Sequence, residues 1–475
     1  MQIIKTLFRT SAILIAAAAI FFLAILNVRL YQPGRVDTAI SQLRFLKQSL
    51  SEGGAERMQL FFPEGYLFTL ALYGLTSANV ARSLPPSDPR RNEALRAARE
   101  AITHVNSDTA KATFVAEMTP RHGAFYASWS LYVRSAVLRA SLPTDPVPFD
   151  LRQFEQDCDN FALALAASDS PFLDSFPEAV WPVDTSVGIA ALAIANPYLG
   201  NRHKATVATW ISRARLRRDL QTGALSHNAT ADGLSQGSPR GGSLAMMSFV
   251  LADADPAFAR QQYDVLRKYF VDYSWGIPAV REYPHGVNGI TDVDSGPVIL
   301  GFSGPASVLG AGAAIAHGDA SLATTLLATI EFVGMPVEWG GSRQYAGGYV
   351  PVGDAFLAWA RSGPPVAGAK YDDIVPPGWR LLIHAVSLLL AGAIAYATSM
   401  LVASRLRPAL GRSECRLRPF PTYNPSGPDL DVQRVAQCAQ GRFLDRFTER
   451  RVCVDGATDI LQPCAHLDRL RKRRA

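Results

Sequence analysis

The sequence has no C-x-x-C pair, no H-x-x-x-H pair, no strand alternation sustained between turn signals, and no strong excess of either charge. Each absence removes a class of protein. Without Cys or His at ligand spacing, a zinc ribbon or a zinc-protease site has no foundation, and no metal or cofactor is expected. The glycine-rich pieces Arg240-Gly241-Gly242 and Ala346-Gly347-Gly348 lack the strand context and the lysine that a phosphate loop needs. The net charge of +6 is modest and gathers toward the C-terminal end, which argues against a nucleic-acid partner. Cysteine is scarce where it would matter for an oxidising compartment. Cys158 stands alone, and Cys415, Cys438, Cys453 and Cys464 all lie in the C-terminal tail. Those four read as thiols in a reducing compartment, with a loose Cys/His site involving His466 as the rival.

The chain does have two long apolar runs, residues 11–26 and 381–403. The first has Lys5 and Arg9 before it and no small-x-small cleavage site after it, so it reads as an uncleaved anchor over 1–29. The second reads as a transmembrane helix over 379–403, and within 381–403 His384 is the one polar ionisable intruder. Arg405, Arg407, Arg412, Arg416 and Arg418 follow it closely. The positive-inside rule then places both termini in the cytoplasm. Residues 30–378 are expected on the other side, the periplasm if the membrane is a cell inner membrane. The basic tail, 404–475, ends in Arg469, Arg471, Lys472, Arg473 and Arg474, suited to anionic headgroups.

Between the runs, apolar residues recur at helical spacing. Amphipathic segments are predicted near 37–51, 90–105, 148–168, 203–220, 256–272 and 319–333. More apolar ones follow each in turn, near 64–83, 122–142, 182–197, 239–252, 296–317 and 350–361. Pro63, Pro120, Pro182, Pro239, Pro297 and Pro351 stand at or just before the apolar partners, spaced by about 58 residues. Proline suits the first helical position, because it has no N–H to leave unpaired and its φ is already helical. Six such pairs fit an all-α (α/α)6 toroid, with apolar helices inside and amphipathic ones outside. A linear solenoid of helix pairs is the alternative.

In a toroid all six inner helices start at one mouth. The residues there are Glu64 and Tyr66; Arg121, His122, Phe125, Tyr126 and Trp129; Trp181 and Asp184; Arg240; Asp292, Asp294 and Ser295; and Tyr345, Tyr349 and Asp354. Carboxylates supply acid and base, aromatic faces stack on rings, and helix N-termini favour anions. Asp184, Asp294, Asp292 and Glu64 are the catalytic candidates, with Asp292 and Asp294 placed at the start of the fifth inner helix. Tyr66, His122, Tyr126, Trp129, Trp181, Arg240, Tyr345 and Asp354 are the substrate-binding candidates. Helix capping is the plain alternative for either aspartate.

The run Pro239-Arg240-Gly241-Gly242-Ser243-Leu244-Ala245-Met246, then Ala254-Asp255-Pro256-Ala257-Phe258, Leu266-Arg267-Lys268-Tyr269-Phe270-Val271 and residues 292–297, resembles linalool dehydratase/isomerase-like toroid domains. The resemblance implies the (α/α)6 fold. The family's catalytic cysteines have no counterpart near Trp181-Pro182-Val183-Asp184-Thr185-Ser186, and Cys158 falls on an outer helix. Toroids of this kind also serve glycoside hydrolases, lyases and epimerases, in which two carboxylates share the acid and base roles. The expected function is a membrane-anchored enzyme acting on a glycan or sugar-containing envelope substrate, by hydrolase, lyase or isomerase chemistry. A terpenoid or lipid dehydratase/isomerase and a non-catalytic envelope binding module are the alternatives. The expected partners are a small-molecule or glycan substrate and the lipid bilayer.

Overall fold

The computed structural model describes residues 2–403 apart from 148, 274, 275 and 377. All of these belong to the first of the chain's two units, residues 1–408. The tail with its four cysteines and the arginines after the second apolar run lies outside the described residues.

The chain opens with α1 (Gln2–Arg29) and then alternates helices of two kinds. The first pair is α2 (Val36–Ser51), the short α3 (Gly54–Gln59) and α4 (Gly65–Ser83); the second is α5 (Pro89–Val105), α6 (Asp108–Lys111) and α7 (Gly123–Ala140). The next are α8 (Leu151–Ala167) with α9 (Pro182–Ala195), and α10 (Lys204–Arg215) with α11 (Gly241–Val250). The last are α12 (Pro256–Tyr269) with α13 (Gly304–Ala316), and α14 (Ala320–Val333) with α15 (Pro351–Ser362); α16 (Trp379–Ala403) follows. The second helix of each pair is buried nearly all round, as its sequence requires. The first shows one buried stripe, apart from α14, which was expected to be amphipathic but is apolar and buried on several faces because α1 packs on it. On α8 the stripe is Phe154, Cys158, Phe161 and Leu165, spaced at three and four residues.

Packing follows from those faces. α4 packs against α7, α7 against α9, α9 against α11, α11 against α13, α13 against α15, and α15 against α4. Outside them, α5 lies on α4 and α7, α10 on α9, α12 on α11, α14 on α13, and α2 on α15 and α4. Trp129 and Trp359, both essentially inaccessible, meet edge to face where α7 and α15 approach. Each fully buried side chain of this size contributes about 1.5–3 kcal/mol.

The fifth apolar helix starts later than its sequence suggests. It is α13, beginning at Gly304 rather than near 296, because Ser303 caps it by accepting from the Ala306 N–H at 3.1 Å and Pro305 occupies the first turn. Positive φ at Gly296, Leu300 and Gly301 keeps the preceding residues out of a helix. Asp292 and Asp294 therefore lie in a loop. Among the described residues the structure also has strands where none was expected: four two-stranded antiparallel pairs, β1–β2 (Asn228–Ala229, Ser235–Gln236), β3–β4 (Val271–Asp272, Ala279–Val280), β5–β6 (Val298–Ile299, Phe302–Ser303) and β7–β8 (Val337–Trp339, Ser342–Gln344). All sit in connectors leading from an outer helix to the next inner one. They are too short to leave a periodic signal in the sequence.

α1 and α16 pack on each other and are long and apolar enough to cross a membrane. Near the domain, His384 shares hydrogen bonds of 2.7 Å with Asn27 Oδ1 and with the Tyr31 hydroxyl, joining the two helices.

Candidate functional site

Five of the six inner helices lack a side-chain hydrogen bond at their N-cap; α13 is the exception. Their N-terminal turns converge on a cavity of about 470 Å³. The volume suits a small molecule.

The wall is mostly apolar: Met58, Phe61, Phe62, Phe68, Phe125, Trp181, Val183, Met246, Val293, Val308, Leu309, Val350, Val352 and Phe356 all contribute. Into this wall are set four carboxyl groups, Glu64, Asp184, Glu282 and Asp294, with Arg240, His227 and Ser243.

Asp184 stands in the first turn of α9 and is only 2 % exposed. Burial pushes its carboxyl up to about 8; the Ser175 hydroxyl, donating to Oδ2 at 2.6 Å, opposes that, and the charges of Glu64 and Asp294 add to it. The Trp129 indole lies within electrostatic reach of Asp184, although its N–H completes no hydrogen bond. Glu64, at the start of α4, is also raised by burial, with a smaller upward push from Asp294. Asp294 is raised by its crowded setting and by Asp292, but it is exposed at the mouth, where solvent moderates the effect.

Arg240 and Glu282 are brought together by a backbone contact. The Gly241 N–H donates to the Glu282 carbonyl at 2.8 Å, and a Cβ at Gly241 would lie 2.0 Å from the Arg281 carbonyl oxygen. Only glycine allows that approach. Arg240 pairs with Asp292 and lies 3.8 Å from Glu282 Oε1. Partial burial acts upward on Asp292, but Arg240 outweighs it and holds the carboxylate below its usual range. Glu282 is raised by burial, against the Ser295 hydroxyl that donates to it at 2.8 Å. His227 shares a 2.6 Å hydrogen bond between Nδ1 and Ser243 Oγ, and burial lowers its pKa to about 4.

Of the expected site residues, Glu64, Asp184, Asp294, Trp181 and Arg240 line this cavity, and Asp292 joins it through Arg240. The others do not line it. Tyr66 is buried toward Ser107, and His122 packs edge-on against Tyr126. Tyr126 is buried against Phe114. Trp129 lies behind Phe68 and Phe125, beneath the wall. Tyr345 donates its hydroxyl to Glu331, and its backbone N–H donates to Asp354 Oδ1 at 3.0 Å. Asp354, raised to about 7 chiefly by burial, is thus tied to the backbone before α15. Cys158 is buried on α8, its thiol pushed up to about 12 by burial. Glu282, His227 and Ser243 were not foreseen. Among the described residues no three His, Cys, Asp or Glu side chains are grouped to hold a metal ion.

These shifts give the domain a pH-dependent stability. Asp184 (about 8) and Asp354 (about 7) stay protonated in the folded state after their unfolded counterparts, at 3.8, have ionised. Stability from these groups therefore falls as pH rises above 3.8. His227 and His317, both lowered to about 4 by burial, are neutral when folded while the unfolded imidazoles, at 6.5, still bind protons. Their contribution rises with pH from 4 to 6.5, opposing the acids. Above 6.5 only the acids remain, and stability is expected to fall until Asp184 ionises near 8, by up to about 1.4 kcal/mol per pH unit for each proton. Thermal melts across this range, compared between the parent and Asp184→Asn, check it. The falling limb should be shallower in the variant, and an unchanged limb would remove Asp184 as its source.

No model of a known protein family matches the chain, and a search of curated proteins finds no match either.

Proposed function

We propose that this chain is a membrane-anchored enzyme with an (α/α)6 toroid domain, and that it performs acid/base chemistry on a lipophilic substrate bearing one polar group, such as a terpenoid or lipid alcohol. The observation that carries the reading is a buried carboxyl that remains protonated at neutral pH, set in an apolar wall. A glycan would present many hydroxyl groups to that wall and leave most of them without partners. A prenyl-type alcohol would bury its chain against the phenylalanines and methionines and offer its single hydroxyl to the carboxyl cluster. The circuit of inner-helix contacts, with amphipathic helices around it, supports the toroid. Two apolar helices joined near the domain support the anchor, and the basic residues flanking them in the sequence, Lys5 and Arg9 before the first and Arg405 and Arg407 after the second, favour cytoplasmic termini and a periplasmic domain.

In this reading Asp184 gives its proton to the substrate hydroxyl, the C–O bond breaks and water leaves. A base then takes a proton from the adjacent carbon, and the electron pair of that C–H bond forms the alkene. His227 suits the second role, since it is neutral at pH 7 and its Nδ1 is held by Ser243. Proton return to Asp184 closes the cycle. Isomerisation would use the same two groups with water returning at another carbon.

A glycan substrate is the second reading, favoured by Trp181 lining the same cavity as Asp184. Incubating the purified full chain in detergent with short prenyl alcohols and, separately, with oligosaccharides distinguishes them. Alkene or isomer formation from the alcohols is expected. Oligosaccharide turnover with the alcohols inert would overturn the proposal, and binding without turnover of either would leave a binding module.

A further inference from the structure

The exposed apolar residues are not spread evenly over the domain. Phe61, Val293 and Val350 line the cavity and are also 72 %, 58 % and 50 % exposed, so they form its rim. Leu60, Ile299 and Tyr349, from the same three connectors, are more than 65 % exposed. These connectors run from α2 to α4, from α12 to α13 and from α14 to α15. At the opposite end, in the short connectors from inner to outer helices, the large apolar residues exposed among the described ones are Leu142, Val147 and Tyr198, none above 50 %; Ile374, 81 % exposed in the connector from α15 to α16, stands apart beside the start of α14. Burying apolar side chains of this kind is favourable, and their gathering around one opening points to a surface that is covered.

The two long apolar helices meet the domain at the same end. Arg29, the last residue of α1, donates to the Pro336 carbonyl, in the connector from α14 to α15. Leu382, in the first turn of α16, packs on Gly276, in the connector from α12 to α13. Beside them Arg380 lies over the rings of Tyr31 and Trp379, at 5.1 and 4.5 Å from the ring centres. Aromatic and basic side chains in this combination belong at the boundary between lipid and water. Two of the three rim connectors therefore touch the points where the chain would enter the bilayer, and the cavity opens among them.

From this geometry we infer that the cavity rim rests on the surface of the bilayer that holds α1 and α16, and that the cavity draws an apolar substrate from the lipid rather than from water. The inference rests on the proposed function for the anchor and for the class of substrate. It goes further by fixing the orientation of the mouth and the source of the substrate. The Arg240–Asp292 pair neutralises one rim carboxylate, which suits a surface pressed against headgroups.

The test uses the full chain with its cysteines replaced by serine, reconstituted into vesicles of phosphatidylethanolamine and phosphatidylglycerol. A nitroxide is attached at one introduced cysteine at a time: Phe61→Cys and Ile299→Cys on the rim, Tyr198→Cys at the far end, and Leu389→Cys in α16. Collision with oxygen reports lipid, and collision with a water-soluble nickel chelate reports water; a thermal melt of each variant shows that it is folded. Oxygen should dominate at positions 61, 299 and 389, and the chelate at 198. Chelate access at 61 and 299 equal to that at 198, with 389 in lipid, would overturn the inference while leaving the anchor intact. Chelate access at 389 as well would bring down the anchor and the inference together.

Discussion

Asp184→Asn is expected to lower turnover by about 100- to 10,000-fold, the usual effect of losing a catalytic acid, while the domain stays folded. The amide keeps the shape of the side chain and can still accept from the Ser175 hydroxyl, which now bonds the carboxyl at 2.6 Å. It has no proton to give. Because burial holds this carboxyl up at about 8, the substitution should also raise stability at pH 7, where the parent must keep a proton on a group whose unfolded form would release it. Loss of activity with a gain in stability separates a functional carboxyl from a helix cap, whose removal costs about 1 kcal/mol. The pH profile adds a second test. Activity should be present while Asp184 is protonated and decline as pH rises through about 8. The Ser175 hydrogen bond favours the ionised form, so Ser175→Ala should move that limb to higher pH. A limb that does not move, with Asp184→Asn active, would assign the acid elsewhere, and Glu64 would be the next candidate.

The helical pattern was largely legible in the sequence, and the side chains that face the cavity were only partly so. Apolar inner helices and striped outer ones follow from periodicity alone, and α4, α9 and α15 begin at or within two residues of Pro63, Pro182 and Pro351. The site depends on a finer angle. Successive helical residues turn by about 100°, so Phe125 can line the cavity while its neighbour Tyr126 points away toward Phe114. Glu64 and Tyr66 part in the same way. Trp129 shares the face of Phe125 but sits one turn deeper, behind the wall. Proximity to a repeated proline could not distinguish these residues. Glu282, His227 and Ser243 were missed for a different reason. His227 and Glu282 lie in the connectors 216–240 and 270–303, which carry no period; Glu282 is brought in where Gly241 lets the start of α11 dock on the backbone at Arg281 and Glu282, and His227 where Ala229 pairs with Val180 ahead of α9. The start of α13 was missed because Pro297 resembles the other helix-opening prolines. The stronger combination of Ser303 and Pro305 lies eight residues further on.

Glu331→Ala should destabilise the domain by about 3–5 kcal/mol, the cost of leaving buried charge without its partner. Glu331, on α14, is wholly inaccessible and takes three partners: Arg343 of β8, Arg361 of α15 at 3.2 Å, and the Tyr345 hydroxyl at 2.6 Å. Arg361 is also wholly inaccessible, and two of its guanidinium nitrogens already lack a hydrogen-bond partner. Without the carboxylate, the two guanidinium groups face each other in the interior with only the half-exposed Glu338 to balance Arg343. The way in which the domain melts then bears on its architecture. α15 packs on α13 and on α4, so it belongs to both ends of the run of inner helices. In a closed toroid, weakening it weakens every pair, and the variant should melt in one transition shifted to lower temperature. An open array would release α14 and α15 first and keep the remainder near the parent's melting temperature, because each pair leans only on its neighbours. Two separated transitions would therefore overturn closure, whatever the fate of the site. Replacing Glu331, Arg343 and Arg361 together by methionine should recover much of the loss, since the penalty comes from unpaired charge rather than from the absence of an ion pair.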